Sequence, residues 1–214
     1  IWQVGRSPGS VMLDISPVPG SVDDAVDILM KIYPINNGIL THREGQRVVA
    51  EINLQTEKER TRAIDKGIEF TPTITICATP ALEKNAKIKK LRLTNLPLLS
   101  QEDLERGLRE TFRPYGDILD VGINRDPRTK AYMGNGFAVL DIQPHHNQQL
   151  LPLNHHIPWC GDKDDLIYAH FDQMPLHCSR CHEPGHIVED CPRFRRNQKG
   201  CFKCGGKNHY AANC

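Results

Sequence analysis

The chain has 214 residues, 39% hydrophobic and 25% charged, which is enough apolar material for one large or two small packed domains. No apolar run approaches the roughly 20 residues of a membrane-spanning helix, and the opening IWQVGRSPGS lacks the charged-then-apolar form of a signal peptide, so the composition argues against a membrane partner. The formal net charge of +1 is unevenly spread, with −2 over residues 1–80, +3 over 81–90, −4 over 91–176 and +4 over 177–214, so any attraction to phosphate must be local.

In chain order, VMLDI (11–15) alternates as a strand and SVDDAVDILMKIYP (21–34) carries Val22, Ala25, Val26, Leu29 and Ile32 at helical spacing behind Ser21 as N-cap. NGILTHR (37–43) and RVVAEINL (47–54) flank a turn at Glu44-Gly45 and read as a hairpin. TEKERTRAIDKGIEF (56–70) is a helix capped by Thr56, and TPTITICA (71–78) closes the set as a strand. The order βαββαβ over 10–80 is that of a ferredoxin-like fold. ALEKNAKIKK (81–90) reads as a short basic linker, with Lys84, Lys87, Lys89 and Lys90.

The same order repeats over 91–172. LRLTNLP (91–97) is a strand, SQEDLERGLRETFRPYG (100–116) a helix with Leu104, Leu108 and Phe112 on one face, ILDVGIN (118–124) a strand, 125–135 a loop and GFAVLDI (136–142) a strand. HHNQQLLPL (145–153) is a poor helix because Pro152 interrupts it, and LIYAHFD (166–172) is the expected last strand. His145, His146, His155 and His156 read as ordinary loop residues, since the sequence identifies no further ligands beside them.

LRLTNL (91–96) and MGNGFAVL (133–140) resemble the two central strands of an RNA recognition motif (RRM). The resemblance implies that Leu91, Leu93, Ala138 and Leu140 face the core, and that Arg92, Thr94, Asn135 and Phe137 face outward toward unpaired bases. The family usually has aromatics where Arg92 and Asn135 stand, so Phe137 is the matching stacker, Arg92 offers its guanidinium plane or a phosphate contact, and Asn135 offers a base-edge hydrogen bond. The first unit is a degenerate version whose outward positions, Met12, Asp14, Arg47, Val49 and Glu51, include no aromatic. It reads as a scaffold or protein-contact domain. An unrelated ferredoxin-like fold is the alternative for both units.

The tail contains one spacing twice, CSRCHEPGHIVEDC and CFKCGGKNHYAANC, each C-x2-C-x4-H-x4-C. Cys178, Cys181, His186 and Cys191, then Cys201, Cys204, His209 and Cys214, are two sets of three thiolates and an imidazole, suited to two structural Zn2+ ions per chain. A disulfide framework is the rival reading of eight cysteines. Against it, ten of 214 residues are His, so a His at one offset in both copies has a chance probability of about 0.002. Loops this short cannot order themselves, and zinc supplies about 10–16 kcal/mol in comparable peptides. Four protein ligands leave no open position for catalysis. Cys77 and Cys160, outside the repeats, read as buried, unreactive thiols.

This spacing resembles the CCHC zinc knuckle of retroviral nucleocapsid and cellular RNA-binding proteins. The resemblance implies base stacking at Phe202, Tyr210 and Ala211 in knuckle 2 (201–214), and at Ile187 and Val188 in knuckle 1 (178–191), where Ser179 replaces the aromatic and His182 the usual Gly. PRFRRNQKG (192–200) is a basic linker whose Arg193, Arg195, Arg196 and Lys199 stand ready as phosphate clamps.

The expected fold class is therefore α+β, two ferredoxin-like, RRM-like domains followed by two small zinc knuckles. That combination resembles the first-reading-frame RNA-binding protein of non-LTR retrotransposons, a nucleic-acid chaperone. The expected function is non-enzymatic, zinc-dependent binding of single-stranded RNA or DNA, with no small-molecule substrate. A protein-assembly module through the first unit, or the binding region of a larger retroelement polyprotein or enzyme, are the alternatives. Zinc-type thiols favour an intracellular location. A chain that begins with Ile and ends on a ligand cysteine reads as part of a longer frame.

Overall fold

The computed structural model describes every residue except 144–148, 196–200, 202, 207, 208 and 210, and the backbone alone of Phe194 and Arg195. The protein is α+β and divides into two compact units. Unit 1 comprises Ile1–Lys89, Gly116–Leu119 and Val139–Leu150; unit 2 comprises Lys90–Tyr115, Asp120–Ala138 and Leu151–Cys214. Among the described residues no helix is long and apolar enough to cross a membrane.

The first sheet and its helices run β1 (Ser10–Asp14), α1 (Val22–Ile32), β2 (Asn36–Glu44), β3 (Arg47–Leu54), α2 (Glu57–Asp65), β4 (Ile68–Thr71), β5 (Ile74–Ile76) and β6 (Thr79–Pro80). Local chemistry sets the helix starts. The Ser21 hydroxyl accepts from the Asp24 amide at 3.1 Å while the Asp24 carboxylate accepts from the Ser21 amide at 2.7 Å, a reciprocal capping box. The donations of the Ser21 amide first, and then of the Ser21 hydroxyl at 2.8 Å, hold the Asp24 carboxyl below its usual range. Thr56 caps α2, its hydroxyl accepting from the Glu59 amide at 3.2 Å.

The antiparallel sheet has the order β2-β3-β1-β6. Val11 and Leu13 pair with Ile52 and Ala50 on the face that meets Ala25 and Leu29 of α1 and Ala63 of α2. The closing strand differs from expectation. Residues 68–76 form a separate two-stranded hairpin, and the fourth strand is only Thr79–Pro80. Gly67, at φ +75°, ends α2 and turns the chain so that Ile68 lies opposite Ile76. The alternation of 71–78 was a real strand signal with a local partner.

The second sheet runs β7 (Ile88–Thr94), α3 (Gln101–Phe112), β8 (Asp117–Arg125), β9 (Tyr132–Asp141), β10 (His156–Trp159) and β11 (Asp162–His170), in the order β10-β11-β7-β9-β8. Ser100 caps α3 through the Asp103 amide at 3.2 Å. Leu104, Leu108 and Phe112 of α3 are buried, as are Leu91, Leu93, Ala138 and Leu140, the strand positions read as inward-facing. Strand β7 begins early enough to take in Lys89 and Lys90, which are therefore strand rather than linker residues.

The stretch that gave the weakest sequence signal holds an additional strand. Residues 149–154 form no regular element, and β10 then pairs with β11. Its apolar residues, Ile157 and Trp159, are buried.

Candidate nucleic-acid interface and metal centres

Strand alternation presents one face of the unit 2 sheet outward. In the β11–β7 register Tyr168 lies opposite Thr94 and His170 opposite Arg92, while Ala169 and Leu93 between them point into the core. On the neighbouring strand, Phe137 takes the same outward side. Its ring lies over Gly122 of β8, where a Cβ would come within 2.8 Å of Cε1. Arg92, Phe137, Asn124 and His170 line an open depression of about 460 Å³. Asn135, the other expected contact, turns its amide to the Met133 carbonyl at 3.2 Å.

The corresponding face of unit 1 is open only at one end, where Arg47 is exposed and pairs with Asp14 at 3.7 Å. Met12, Val49 and Glu51, read as outward, are buried; Glu51 is 7% exposed. The Glu51 carboxylate accepts from the backbone amides of Arg6 at 2.9 Å and Ser7 at 3.2 Å. The residues ahead of β1 therefore supply the donors that allow a carboxylate to be buried there.

The two Cys/His repeats fold into loops whose ligand atoms converge. The Sγ and imidazole nitrogen atoms of Cys178, Cys181, His186 and Cys191 lie within 4.8 Å of one another, as do those of Cys201, Cys204, His209 and Cys214. In both, Nε2 is the nitrogen turned inward, 3.3 Å from Cys181 Sγ and 3.2 Å from Cys204 Sγ. Three sulfurs and one nitrogen at these separations fit one tetrahedrally bound ion per loop, with all four positions filled by the protein. All eight cysteines are free of disulfides.

Around knuckle 1, Ile187 is 44% exposed, Val188 is half-buried, and Arg193 reaches back to Glu183 at 3.6 Å, so one expected phosphate clamp already faces a carboxylate. Phe202, Tyr210, Arg196 and Lys199, and the side chain of Arg195, lie outside the described residues, as do His145 and His146.

Sequence reasoning missed a cluster of rings at the edge of the unit 2 sheet. His155, read as a loop residue, is 1% exposed. Its Nδ1–H donates to the Ala169 carbonyl at 3.0 Å, and its Nε2 pairs with His182 Nδ1 at 3.0 Å. Burial above all, then the neighbouring His170, His177 and His156, lowers its pKa to about 4. A neutral ring whose Nδ1 is the donor has an accepting Nε2, so His182 donates to it. The His182 ring also lies flat on Tyr168, with centroids 3.4 Å apart and planes at 1°. His177 stands 4.6 Å from the His155 ring. The available signal was His182 itself, in a position where knuckles usually carry glycine.

Two further expectations are corrected. Cys77 and Cys160 are exposed, not buried. Cys77 lies in the connection between β5 and β6, and Cys160 in the tight β10–β11 turn at φ +48°. The Cys160 amide donates to the Thr111 hydroxyl at 2.9 Å, and partial burial of the thiol raises its pKa.

No protein-family model matches the chain. A stretch of 37 residues is 46% identical to an uncharacterised protein of Schizosaccharomyces pombe, covering 17% of this chain and 17% of that protein. Among solved structures, the Sxl-lethal protein/RNA complex superimposes with a TM-score of 0.47 at 22% identity, over 63% of this chain and 83% of that one. RNA recognition domains 1 and 2 of Sex-lethal from Drosophila melanogaster give 0.34 at 21%, over 62% and 85%. The first two RRM domains of the yeast poly(U)-binding protein give 0.27 at 14%, over 76% and 98%. These superpositions are loose, and the fold of each unit stands on its own strand order.

Proposed function

We propose that this chain binds single-stranded nucleic acid, RNA in preference to DNA, through the open sheet face of unit 2 and two zinc-ordered knuckles, and that it is not an enzyme. The observation that carries this reading is the placing of Arg92 and Phe137 beside one another on an outward sheet face, at the rim of an open depression. An aromatic and a guanidinium can hold a base and its phosphate with little regard to sequence. Zinc is the ion that three thiolates and an imidazole suit best, and its role is to order each loop rather than to activate water. The expected stacking residues Phe202 and Tyr210 and the cations of 192–200 extend the footprint.

Unit 1 is read as a scaffold or a protein-contact domain, because Glu51 and the residues bonded to it close most of the face that would otherwise meet bases. The finer identity, an RNA-coating chaperone of a retroelement acting inside the cell, rests on the combination of RRM-like units with two knuckles. Fluorescence anisotropy of a labelled single-stranded RNA tests the central claim. Affinity for the zinc-loaded chain should fall with salt, with a slope of about −0.7 per phosphate neutralised. Equal binding by a chain carrying Cys201→Ser and Cys204→Ser would sink it. Complexes that survive nuclease and high salt would instead favour protein assembly.

A further inference from the structure

The two metal-binding loops share the same backbone hydrogen bonds around their first two cysteines, and the residue after the second cysteine differs between them. In each, the amide after the second cysteine donates to the carbonyl of the first: His182 to Cys178 at 2.8 Å, and Gly205 to Cys201 at 2.7 Å. In each, the first cysteine's amide donates to the next carbonyl along, that of Glu183 or Gly206. His182 and Gly205 are thus equivalent, and both are left-handed, at φ +61° and +76°. Glycine takes that conformation freely, whereas a histidine pays in steric strain.

What the side chain gains differs between the loops. A Cβ at Gly205 would meet nothing within 4 Å among the described residues. The His182 ring, by contrast, covers Tyr168 on the outward face of the sheet and donates to the buried His155. His177, next to the first ligand on the other side of the loop, stands against the same His155 ring. Two residues flanking the ligand cysteines therefore grip one spot on the sheet, and the strain at His182 is offset by that grip.

We propose that His182 is a docking residue that seats knuckle 1 on the unit 2 sheet, so that the sheet face and knuckle 1 meet a single strand as one rigid surface. This rests on the nucleic-acid reading above. Its corollary is that Tyr168 is withdrawn from base stacking, since an imidazole already occupies the place a base would take, and bases are received from Phe137 outward. At Gly205 the second loop lacks this anchor among the described residues.

Backbone 15N relaxation on the full zinc-loaded chain, without RNA, tests the docking. The amides of knuckle 1 should tumble with those of β7 and β11. His182→Gly, and separately Tyr168→Ala, which leaves the loop sequence intact, should release knuckle 1 to faster local motion. Native mass spectrometry should still count two zinc ions in each variant. Independent tumbling in the parent chain, or no change in either variant, would overturn the proposal. Anisotropy with a single-stranded RNA of about 12 nucleotides tests the consequence, with a loss on the order of tenfold expected in His182→Gly and near-parent binding in Tyr168→Phe, which keeps the stack. An unchanged affinity in His182→Gly would overturn the single-surface claim. If RNA binds no version of the chain, the functional reading fails while the relaxation data still decide the docking.

Discussion

The indole of Trp159 stands where a side chain on Gly107 would begin, since a Cβ there would lie 2.3 Å from Cζ2. A glycine in the middle of α3 is costly on helix propensity alone, by about 1 kcal/mol relative to alanine. Here it lets β10 lie close against the helix.

Gly107→Ala should therefore destabilise the protein by about 1–3 kcal/mol, because overpacking outweighs the propensity gain. Urea titration reads this as a lower midpoint at unchanged slope. In a Trp159→Ala background the same substitution should turn neutral or stabilising. A stabilising Gly107→Ala in the parent chain would mean that the two elements are not tightly packed.

His155 gives unit 2 a defined response to acid. Its folded pKa, about 4, lies below the ordinary 6.5, so the unfolded chain binds more protons between those values and stability falls as pH drops from about 6.5 toward 4. The facing groups are His156, His170, His177, His182 and Tyr168. Thermal melts across this range, with zinc content followed in the same samples, should show a shallower slope for His155→Gln than for the parent. Parallel slopes at equal zinc content would contradict the assignment.

On the sheet face, Arg92→Ala should weaken RNA binding and reduce the salt slope by about 0.7, whereas Phe137→Ala should weaken binding and leave the slope unchanged. Phe202→Ala should weaken binding more than Phe137→Ala. The reverse order would place the main site on the sheet rather than on knuckle 2.

Chelation should separate the tail from the sheets. Removing metal should disorder 178–214 and release knuckle 1 from Tyr168, while the slowest-exchanging amides of β1, β3, β7 and β9 stay protected. Loss of protection across both sheets would make the metal sites integral to the whole fold.

The sequence was most legible where short-range chemistry decides structure. Ser21 and Thr56 marked two helix starts that the structure keeps, because a cap needs only residues three positions apart. The inward set Leu91, Leu93, Ala138 and Leu140, implied by the resemblance of two strands to those of an RNA recognition motif, is buried. The converging ligands followed from spacing alone. What escaped depended on residues far apart in the chain. Strand β10 shows little alternation and contains Pro158; it is held by pairing with β11 and by the cleft above Gly107. The ring cluster joins residues 155, 168 and 182, which no local window brings together. Burial of Glu51 depends on amides 44 and 45 residues away.

That last contact bears on how the protein can be cut. A fragment trimmed to the first strand, beginning at Ser10, would strip Glu51 of the amides of Arg6 and Ser7, and taking the partners from a buried charged group costs about 1–3 kcal/mol or more. Such a piece would keep every helix and strand of the unit and still be a poor folder. The nine residues ahead of β1, which carry no helix or strand of their own, belong to the smallest portion worth expressing.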